Sequence, residues 1–345
     1  MRAPRSHTIR GCDIRSRICE LRIINVHYQR TALPNFLIVG TGKAGTTSLY
    51  HYLRQHPQIY MSPVKEPSYF ASEIRVENLG EPYLRHIRRS STRLSECLAD
   101  GRPARPKGWL FSEWDEYLRL FQDVKSEIAI GEASVAYLWS ESAAANIAAR
   151  APGAKIVMML RDPSERAFSQ YYHQLSAGVI HSTFREHIDN CIRYTGGKLG
   201  AYYPLLEVGL YYEQVIRYLR LFPKENIRIY WYEQAWRRPD VLLSDLFDFL
   251  GADSSFRPDM SRRSLERRSP RSPAGNYFFK RFDVTHRIRE SLPSWLRRSI
   301  HKSLFRPGHN LKMDPKDRQI LVEYYREDTL KLGSLLDRDL SAWLH

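Results

Sequence analysis

The fold of this 345-residue chain is decided by Phe36-Leu-Ile-Val-Gly-Thr-Gly-Lys-Ala-Gly-Thr-Thr-Ser-Leu-Tyr50. An apolar run has the length of a buried strand and is followed by a glycine-rich turn that holds one lysine. Leu49 and Leu53 then share one face of a helix. A strand, a glycine-rich turn and a helix N-terminus together bind an anionic, phosphate-like group, because the free N–H groups of the first helical turn point at it and the helix dipole favours its charge. The stretch therefore predicts an anion site in an α/β fold.

The spacing of this turn is close to that of a nucleotide-binding P-loop. Gly40 and Gly45 form G-x-x-x-x-G, but Thr46 and Thr47 stand where a P-loop has Lys-Ser or Lys-Thr. The lysine lies earlier, at Lys43, and the string offers no evident partner for Mg²⁺. We therefore predict a phosphate-binding loop and no metal site.

A second motif follows about 120 residues later along the chain. An apolar strand over 155–160 leads into Arg161-Asp-Pro-Ser-Glu-Arg-Ala-Phe-Ser-Gln-Tyr171. Pro163 suits the first turn of a helix, where its missing N–H costs nothing. Arg161 offers a bidentate fork for a phosphate, and the Ser169 hydroxyl adds a donor. This motif predicts a second phosphate contact at the carboxyl end of a strand.

Together the two motifs resemble those of sulfotransferases that use 3′-phosphoadenosine 5′-phosphosulfate (PAPS), above all the carbohydrate branch with the heparan sulfate N-deacetylase/N-sulfotransferases. The resemblance covers most of residues 35–345 and implies a P-loop-like three-layer fold, with a central parallel sheet flanked by helices. It implies that Lys43 contacts the bridging and sulfonate oxygens, and that Arg161 and Ser169 bind the 3′-phosphate. The residues that it assigns to the 5′-phosphate loop are Ala44, Gly45, Thr46, Thr47 and Ser48.

Three further residues take roles from the same resemblance. Glu66, in Ser62-Pro-Val-Lys-Glu-Pro-Ser-Tyr-Phe70, matches a general base that removes the acceptor's proton during in-line attack on sulfur; a surface ion pair is its alternative role. His173 lies four residues after Ser169 on one helix face and matches a histidine on the acceptor side; a merely packed or exposed residue is the alternative. Lys312 occupies the place of a late basic loop that closes the cofactor pocket.

The acceptor is less sharply indicated than the donor. Gly131-Glu-Ala-Ser-Val-Ala-Tyr137 resembles a family strand, but Ala133 stands where the heparan-type enzymes have lysine. This departure argues against a strictly heparan-like acceptor. We expect a hydroxyl or amine of a carbohydrate or glycolipid, acidic ones included, and the choice between O- and N-sulfation stays open, as does the oligomeric state.

The net charge of +15 favours an anionic cofactor, an acidic polymer, or a membrane or nucleic-acid surface. One alternative function is a P-loop kinase or NTPase, which would need a lysine after Gly45 and a Walker-B acid after a buried strand. The strand that begins at Lys155 leads instead into Arg161. A second alternative is a nucleic-acid-binding protein, but no recognition motif accompanies the charge, so no nucleic-acid partner is predicted.

Residues 34–345 form the predicted sulfotransferase domain, without internal repeats. Residues 1–33 hold seven arginines and no apolar signal region. We expect them to form a disordered basic arm. The alternatives are that the start site has been assigned too early, or that these residues are a transit peptide. No apolar run reaches the length of a membrane-spanning helix, and four cysteines without metal spacing indicate free thiols. We therefore expect a cytoplasmic protein.

Two regions of the domain are expected to lack regular structure. Residues 72–107 should form a loop-rich insertion. Residues 253–274, which include the arginine-rich part 257–271, should form a solvated loop or a basic flap.

Overall fold

The computed structural model describes residues 32–75, 111–193, 205–261, 268–281, 305–307 and 312–345. Five strands form its central sheet: β1 (Phe36–Ile38), β2 (Ile59–Met61), β3 (Ala129–Ala133), β4 (Lys155–Leu160) and β5 (Ile227–Trp231). Their order across the sheet is β2-β3-β1-β4-β5, and every neighbouring pair is parallel.

Helices connect the strands, as parallel pairing requires. They are α1 (Thr46–Leu53), α2 (Trp114–Leu118), α3 (Ala136–Trp139), α4 (Ala143–Arg150), α5 (Pro163–Ala177), α6 (Phe184–Arg193), α7 (Tyr211–Leu221), α8 (Tyr232–Ala235), α9 (Pro239–Leu250), α10 (Pro273–Arg281) and α11 (Pro315–Leu335). Short 3₁₀ turns occupy Arg119–Phe121, Glu207–Gly209, Lys224–Asn226 and Ser341–Leu344. A separate antiparallel ribbon pairs β6 (Arg268–Pro270) with β7 (Phe305–Pro307).

Apolar side chains cover both faces of the sheet, because successive residues of a strand point to opposite sides. In β4, Ile156 and Met158 belong to one buried cluster, which also takes in residues of α4 and α7. Val157 and Met159 belong to the other, which takes in α1 and α9. The predicted three-layer fold with a parallel sheet between helices is therefore confirmed.

The strand order creates a crevice between β1 and β4. From β1 the chain runs to β2 and β3 on one side, and β4 and β5 then lie on the other side. In open α/β sheets, ligands bind outside the carboxyl ends of the strands at such a switch point. The glycine-rich loop follows β1, and Arg161 follows β4 directly, so both sequence motifs meet at this crevice.

The chain between residues 253 and 274 differs from the predicted loop. It contains β6 and the first residues of α10, because Arg268 pairs with Pro307 and Pro270 with Phe305 across the ribbon. Residues 262–267 lie outside the described residues, as do residues 1–31 of the predicted basic arm and residues 76–107, which are most of the predicted insertion.

Candidate active site

The loop after β1 is held tightly against β4. The backbone N–H of Thr41 donates to the carbonyl of Met159 at 3.0 Å. A Cβ on Gly40 would lie 2.1 Å from the Met159 nitrogen, so only glycine allows this close approach. Lys43 has a φ of 71° and Gly45 a φ of 86°. A lysine in the left-handed region is strained, and such strain concentrates at functional sites.

The N-terminus of α1 offers backbone donors to an anion. Gly45 caps the helix without a side-chain hydrogen bond, and the first turn holds no acidic residue. The N–H groups at Thr46, Thr47 and Ser48 have no partner within the helix, since the first turn of any helix lacks one. Ala44 and Thr46 are buried, whereas Thr47 and Ser48 are half-buried. The predicted 5′-phosphate loop therefore has the donor pattern of an anion site.

Arg161 joins the two sequence motifs. Its Nη1 donates to the backbone carbonyl of Lys43 at 3.0 Å, across 118 residues of sequence. The guanidinium carbon lies 4.4 Å from the ring centre of Tyr232, and Nη2 contacts Glu165 at 3.4 Å. Only 6% of Arg161 is exposed. The structure therefore brings Lys43 and Arg161 together at the switch point.

The helix α5 begins as the sequence predicts. Pro163 occupies its first turn, and the Asp162 carboxylate accepts from the N–H groups of Ser164 and Glu165 at 2.8 and 3.2 Å. Ser169 is buried in the same helix. His173 lies further along α5 and is exposed, so its predicted role at the acceptor stays a prediction.

Lys312 precedes α11, whose first turns contact the start of α5 through Arg318. This helix starts at Pro315 with Asp314 as its cap, and Arg318 in its first turns bonds to Asp162 at 2.9 Å. Lys312 is exposed and lies three residues before the helix, while residues 308–311 of the predicted closing loop lie outside the described residues. Its contact with the cofactor stays a prediction.

Glu66 lies beyond the carboxyl end of β3. Its backbone N–H donates to the carbonyl of Ala133 at 2.9 Å, and its φ is 64°. The Lys65 ammonium lies 2.5 Å from its carboxylate, whose side chain is 36% exposed. Thus Glu66 makes an ion pair with Lys65, and its side chain is partly exposed.

Residues 33–333 match the family described as Sulfotransferase domain. The chain belongs to the sulfotransferase family. Carbohydrate sulfotransferase 15 of Mus musculus is 26% identical, over 92% of this chain and 56% of its own length. Bifunctional heparan sulfate N-deacetylase/N-sulfotransferase 3 of Homo sapiens is 27% identical, over 90% of this chain and 31% of its own length. The chain thus spans little more than half the length of the first of these relatives.

A solved structure agrees with this assignment. The crystal structure of a sulfotransferase from Alicyclobacillus acidocaldarius is 30% identical, covers 91% of this chain and 100% of its own, and superposes with a TM-score of 0.63.

One buried carboxyl group of this sulfotransferase was not predicted from the sequence. Glu132 in β3 is fully buried and accepts from the Ser134 hydroxyl at 2.8 Å and from the Tyr117 hydroxyl at 3.3 Å. Burial raises its pKa to about 7, against the effect of hydrogen bonds that include one from Tyr137. A carboxylate inside an otherwise apolar strand was the available signal, since such groups are rarely fully buried without partners.

Two aromatic rings beside the loop were also missed. Trp236 packs against Gly45 so closely that a Cβ there would lie 2.3 Å from the indole nitrogen, and Tyr232 lies under Arg161. Both belong to the segment around α8. Nothing in the local sequence identifies them, because their partners are distant in the chain.

Within the described ranges, no group of three or more His, Cys, Asp or Glu residues is arranged to hold a metal ion. In that same part of the sulfotransferase chain, every helix is too short or too polar to cross a bilayer. The thiol of Cys191 is free and buried, and its pKa is raised to about 12 chiefly by burial; the other three cysteines lie outside the described residues.

Proposed function

We propose that this chain transfers a sulfuryl group from PAPS to a hydroxyl or amine of a carbohydrate or glycolipid, with Glu66 as the general base. The observation that carries the proposal is the bond from Arg161 Nη1 to the Lys43 carbonyl at 3.0 Å. This bond supports the proposal because it joins the loop after β1 to the arginine after β4, at the switch point where α/β sheets bind nucleotides.

The residues present suit a nucleotide with two separate phosphate groups. The N–H groups at Thr46, Thr47 and Ser48 would hold the 5′-phosphate, and the guanidinium of Arg161 with the hydroxyl of Ser169 would hold the 3′-phosphate. The close approach at Gly40 and the positive φ at Gly45 support this reading, because they shape a cradle of backbone rather than of side chains. PAPS supplies an activated sulfuryl group, which transfers without a metal.

Lys43 and Lys312 would contribute charge on the donor. The Lys43 ammonium would stabilise the negative charge that develops on the bridging oxygen as the bond to sulfur breaks. The positive φ of Lys43 sets the direction in which its side chain leaves the backbone. Lys312, at the start of the segment that leads into α11, would approach from the other side of the nucleotide.

Glu66 would take the acceptor's proton. The acceptor oxygen or nitrogen attacks sulfur opposite the departing adenosine 3′,5′-bisphosphate, and its proton passes to a carboxylate oxygen of Glu66. Two features support this role: the side chain is partly exposed, and a bond from its N–H to Ala133 fixes its backbone. His173 would assist from α5. Correct alignment of the two reactants supplies much of the rate, since alignment alone is worth roughly 7–11 kcal/mol.

The acceptor class rests on the relatives. The matched proteins are named as a carbohydrate sulfotransferase and a heparan sulfate N-sulfotransferase, which favours a carbohydrate over other hydroxyl compounds. Ala133 stands where the heparan-type enzymes have lysine, and this difference favours an acceptor other than heparan sulfate. A cytoplasmic location remains a prediction from the sequence alone.

Calorimetric titration with adenosine 3′,5′-bisphosphate, without metal, tests the proposal. We expect binding in the micromolar range, with much weaker binding of AMP, because AMP lacks the 3′-phosphate. Lys43→Ala and Arg161→Ala should abolish it. Lys224→Ala is the matched control, since Lys224 is exposed and precedes β5 at the opposite end of the sheet.

Two outcomes would contradict the proposal. The first is no binding of the bisphosphate by the folded protein. The second is a preference for ATP with Mg²⁺, which would instead favour the kinase or NTPase.

A further inference from the structure

The carboxyl group of Glu132 is surrounded by hydroxyl groups. It lies fully buried in β3. The Ser134 hydroxyl donates to its Oε2 at 2.8 Å, and the Tyr117 hydroxyl donates to its Oε1 at 3.3 Å. A third hydroxyl, that of Tyr137, also bonds to this carboxyl group. Because a carboxylate only accepts hydrogen bonds, the ionised side chain receives the protons of all three hydroxyls.

Two of these hydroxyls also accept from the loop 62–70 on the acceptor side. The backbone N–H of Ser68 donates to Ser134 Oγ at 3.1 Å, and the N–H of Phe70 donates to Tyr137 Oη at 3.4 Å. A hydroxyl has one proton and two lone pairs. When its proton points at the buried carboxylate, its lone pairs are left for the N–H groups of the loop.

The loop needs such bonds because its backbone is strained. Glu66 has a φ of 64° and Ser68 a φ of 56°, and residues in this region persist only where the surrounding structure enforces them. The Glu66 N–H bonds to the Ala133 carbonyl at 2.9 Å, and the two hydroxyls bind the loop further along. The end of β3 therefore holds the loop on both sides of the strained turn.

We propose that Glu132 is a positioning residue for Glu66. Its carboxylate orients two hydroxyls, and these hydroxyls fix the backbone of the loop 62–70. The role of Glu66 as the base rests on the proposed function, whereas the bonds that hold the loop do not. The alternative is that Glu132 only fills space in the core.

Single-residue hydrogen exchange at pH 8, with millisecond labelling and mass spectrometry, tests these bonds. At this pH Glu132 is mostly ionised, because burial raises its pKa to about 7. Ser134→Ala removes the acceptor of the Ser68 N–H, and Tyr137→Phe removes that of the Phe70 N–H. Each amide should exchange about 3- to 10-fold faster in its own variant, as expected for the loss of one hydrogen bond.

Glu132→Gln tests the carboxylate itself. Glutamine has one oxygen that accepts and an NH₂ group that donates, so it cannot accept from all three hydroxyls. We expect the amide of Ser68, that of Phe70, or both to exchange faster by a similar factor. Tyr325→Phe is the matched control, because it removes a fully buried tyrosine hydroxyl that bonds to the Leu206 carbonyl in a different cluster.

A space-filling role of Glu132 would give a different pattern. Glu132→Gln would then lower the global stability, so the amides of β1 and β4 would exchange faster. The two loop amides would change no more than they do in Tyr325→Phe, and this result would overturn the proposal. If Glu132→Gln does not fold, Glu132→Asp decides by the same comparison, since it keeps the charge and withdraws the carboxylate by one methylene.

A double-mutant cycle tests whether Glu132 acts through Glu66. PAPS turnover is followed as release of adenosine 3′,5′-bisphosphate, with the unsulfated polysaccharides heparosan and chondroitin as acceptor probes. Glu132→Gln should lower kcat about tenfold, because displacing a reacting group slows the reaction, and should leave the affinity for the bisphosphate unchanged. In the Glu66→Gln background it should have little further effect. Equal losses in both backgrounds, or faster loop exchange with an unchanged kcat, would overturn the proposal.

The proposed function and this inference fail differently. If the unmodified protein binds no bisphosphate, the proposed function fails. If it turns over PAPS but Glu66→Gln does not slow it, the assignment of the base fails. If neither probe is turned over, hydrogen exchange alone decides whether Glu132 holds the loop. If Glu66→Gln slows turnover and Glu132→Gln changes neither kcat nor loop exchange, only the role of Glu132 is wrong.

Discussion

Two sides of the candidate site are built on different principles. The donor side consists of the loop 39–45, the N-terminus of α1 and Arg161; the acceptor side consists of residues 62–70 and the end of β3. Backbone bonds hold the donor side, such as Thr41 N–H to the Met159 carbonyl at 3.0 Å. The acceptor side adds side-chain bonds to a backbone bond from the Glu66 N–H to the Ala133 carbonyl: the Ser134 hydroxyl accepts from the Ser68 N–H at 3.1 Å and donates to Glu132 at 2.8 Å.

Both sides nevertheless carry strained backbone. The positive-φ residues other than glycine in the described part of the chain are Lys43, Glu66, Ser68 and Asp337, and three of these four belong to the two sides. Such conformations cost about 1–3 kcal/mol each and persist where the surrounding structure enforces them. Position is therefore enforced on both sides: by backbone bonds at the donor, and at the acceptor by a backbone bond together with side-chain bonds to a buried carboxyl group. A substitution on one side should therefore leave the function of the other side intact: nucleotide binding at the donor side, or proton removal at the acceptor side.

The largest expected effect comes from Glu66→Gln. If Glu66 is the base, kcat for sulfuryl transfer from PAPS should fall by a factor of about 10²–10⁴, because glutamine cannot accept the proton. The affinity for adenosine 3′,5′-bisphosphate should stay unchanged, since the donor side is intact. Steady-state kinetics and calorimetry on the same preparation check both parts. A large loss of bisphosphate affinity would show that the two sides are not separable.

Gly45→Ala should break the donor side alone. The φ of 86° costs an alanine roughly 1–2 kcal/mol, and its Cβ would collide with the Trp236 indole. We expect bisphosphate affinity to fall about tenfold or more, measured by calorimetry. Gly153→Ala is the control, because a Cβ at Gly153 meets nothing within 4 Å. Equal affinities of the two variants would mean that the loop conformation does not matter for the nucleotide.

The donor side could be predicted from sequence more fully than the acceptor side, for a physical reason. An anion site needs a strand end, a glycine turn and a helix start in one short string, and Phe36 to Tyr50 holds all three. The helix of Pro163 was equally local, since its cap lies one residue away. Contacts between distant segments left no such trace, as with Trp236 against Gly45.

The features that were predicted wrongly or not at all also depend on contacts between distant segments. The ribbon of β6 and β7 was predicted as loop, because its Ser-, Pro- and Arg-rich strand depends on a partner near residue 306. The environment of Glu132 depends on Tyr117, which lies in α2, a helix that precedes β3 in the chain. Burial and pairing across the fold decide such features, and one sequence carries no direct record of either.

The smallest expected effect sharpens the role of Glu132 beneath the acceptor side. Burial raises its pKa from 4.5 to about 7, so between these values the folded state keeps a proton that the unfolded state has lost. The free energy of unfolding should therefore fall as the pH rises from about 4.5 to 7, on the order of 1–3 kcal/mol, and level off above that. Glu132→Gln keeps the shape of the side chain and does not titrate, so its curve should lack this decrease. Urea unfolding at a series of pH values measures it, with the exposed Glu141→Gln as the control. If the curves for Glu132→Gln and the unmodified protein run parallel over this range, Glu132 does not hold the extra proton of the folded state. The Ser134 to Ser68 bond would then hold the acceptor side without help from a neutral carboxyl group.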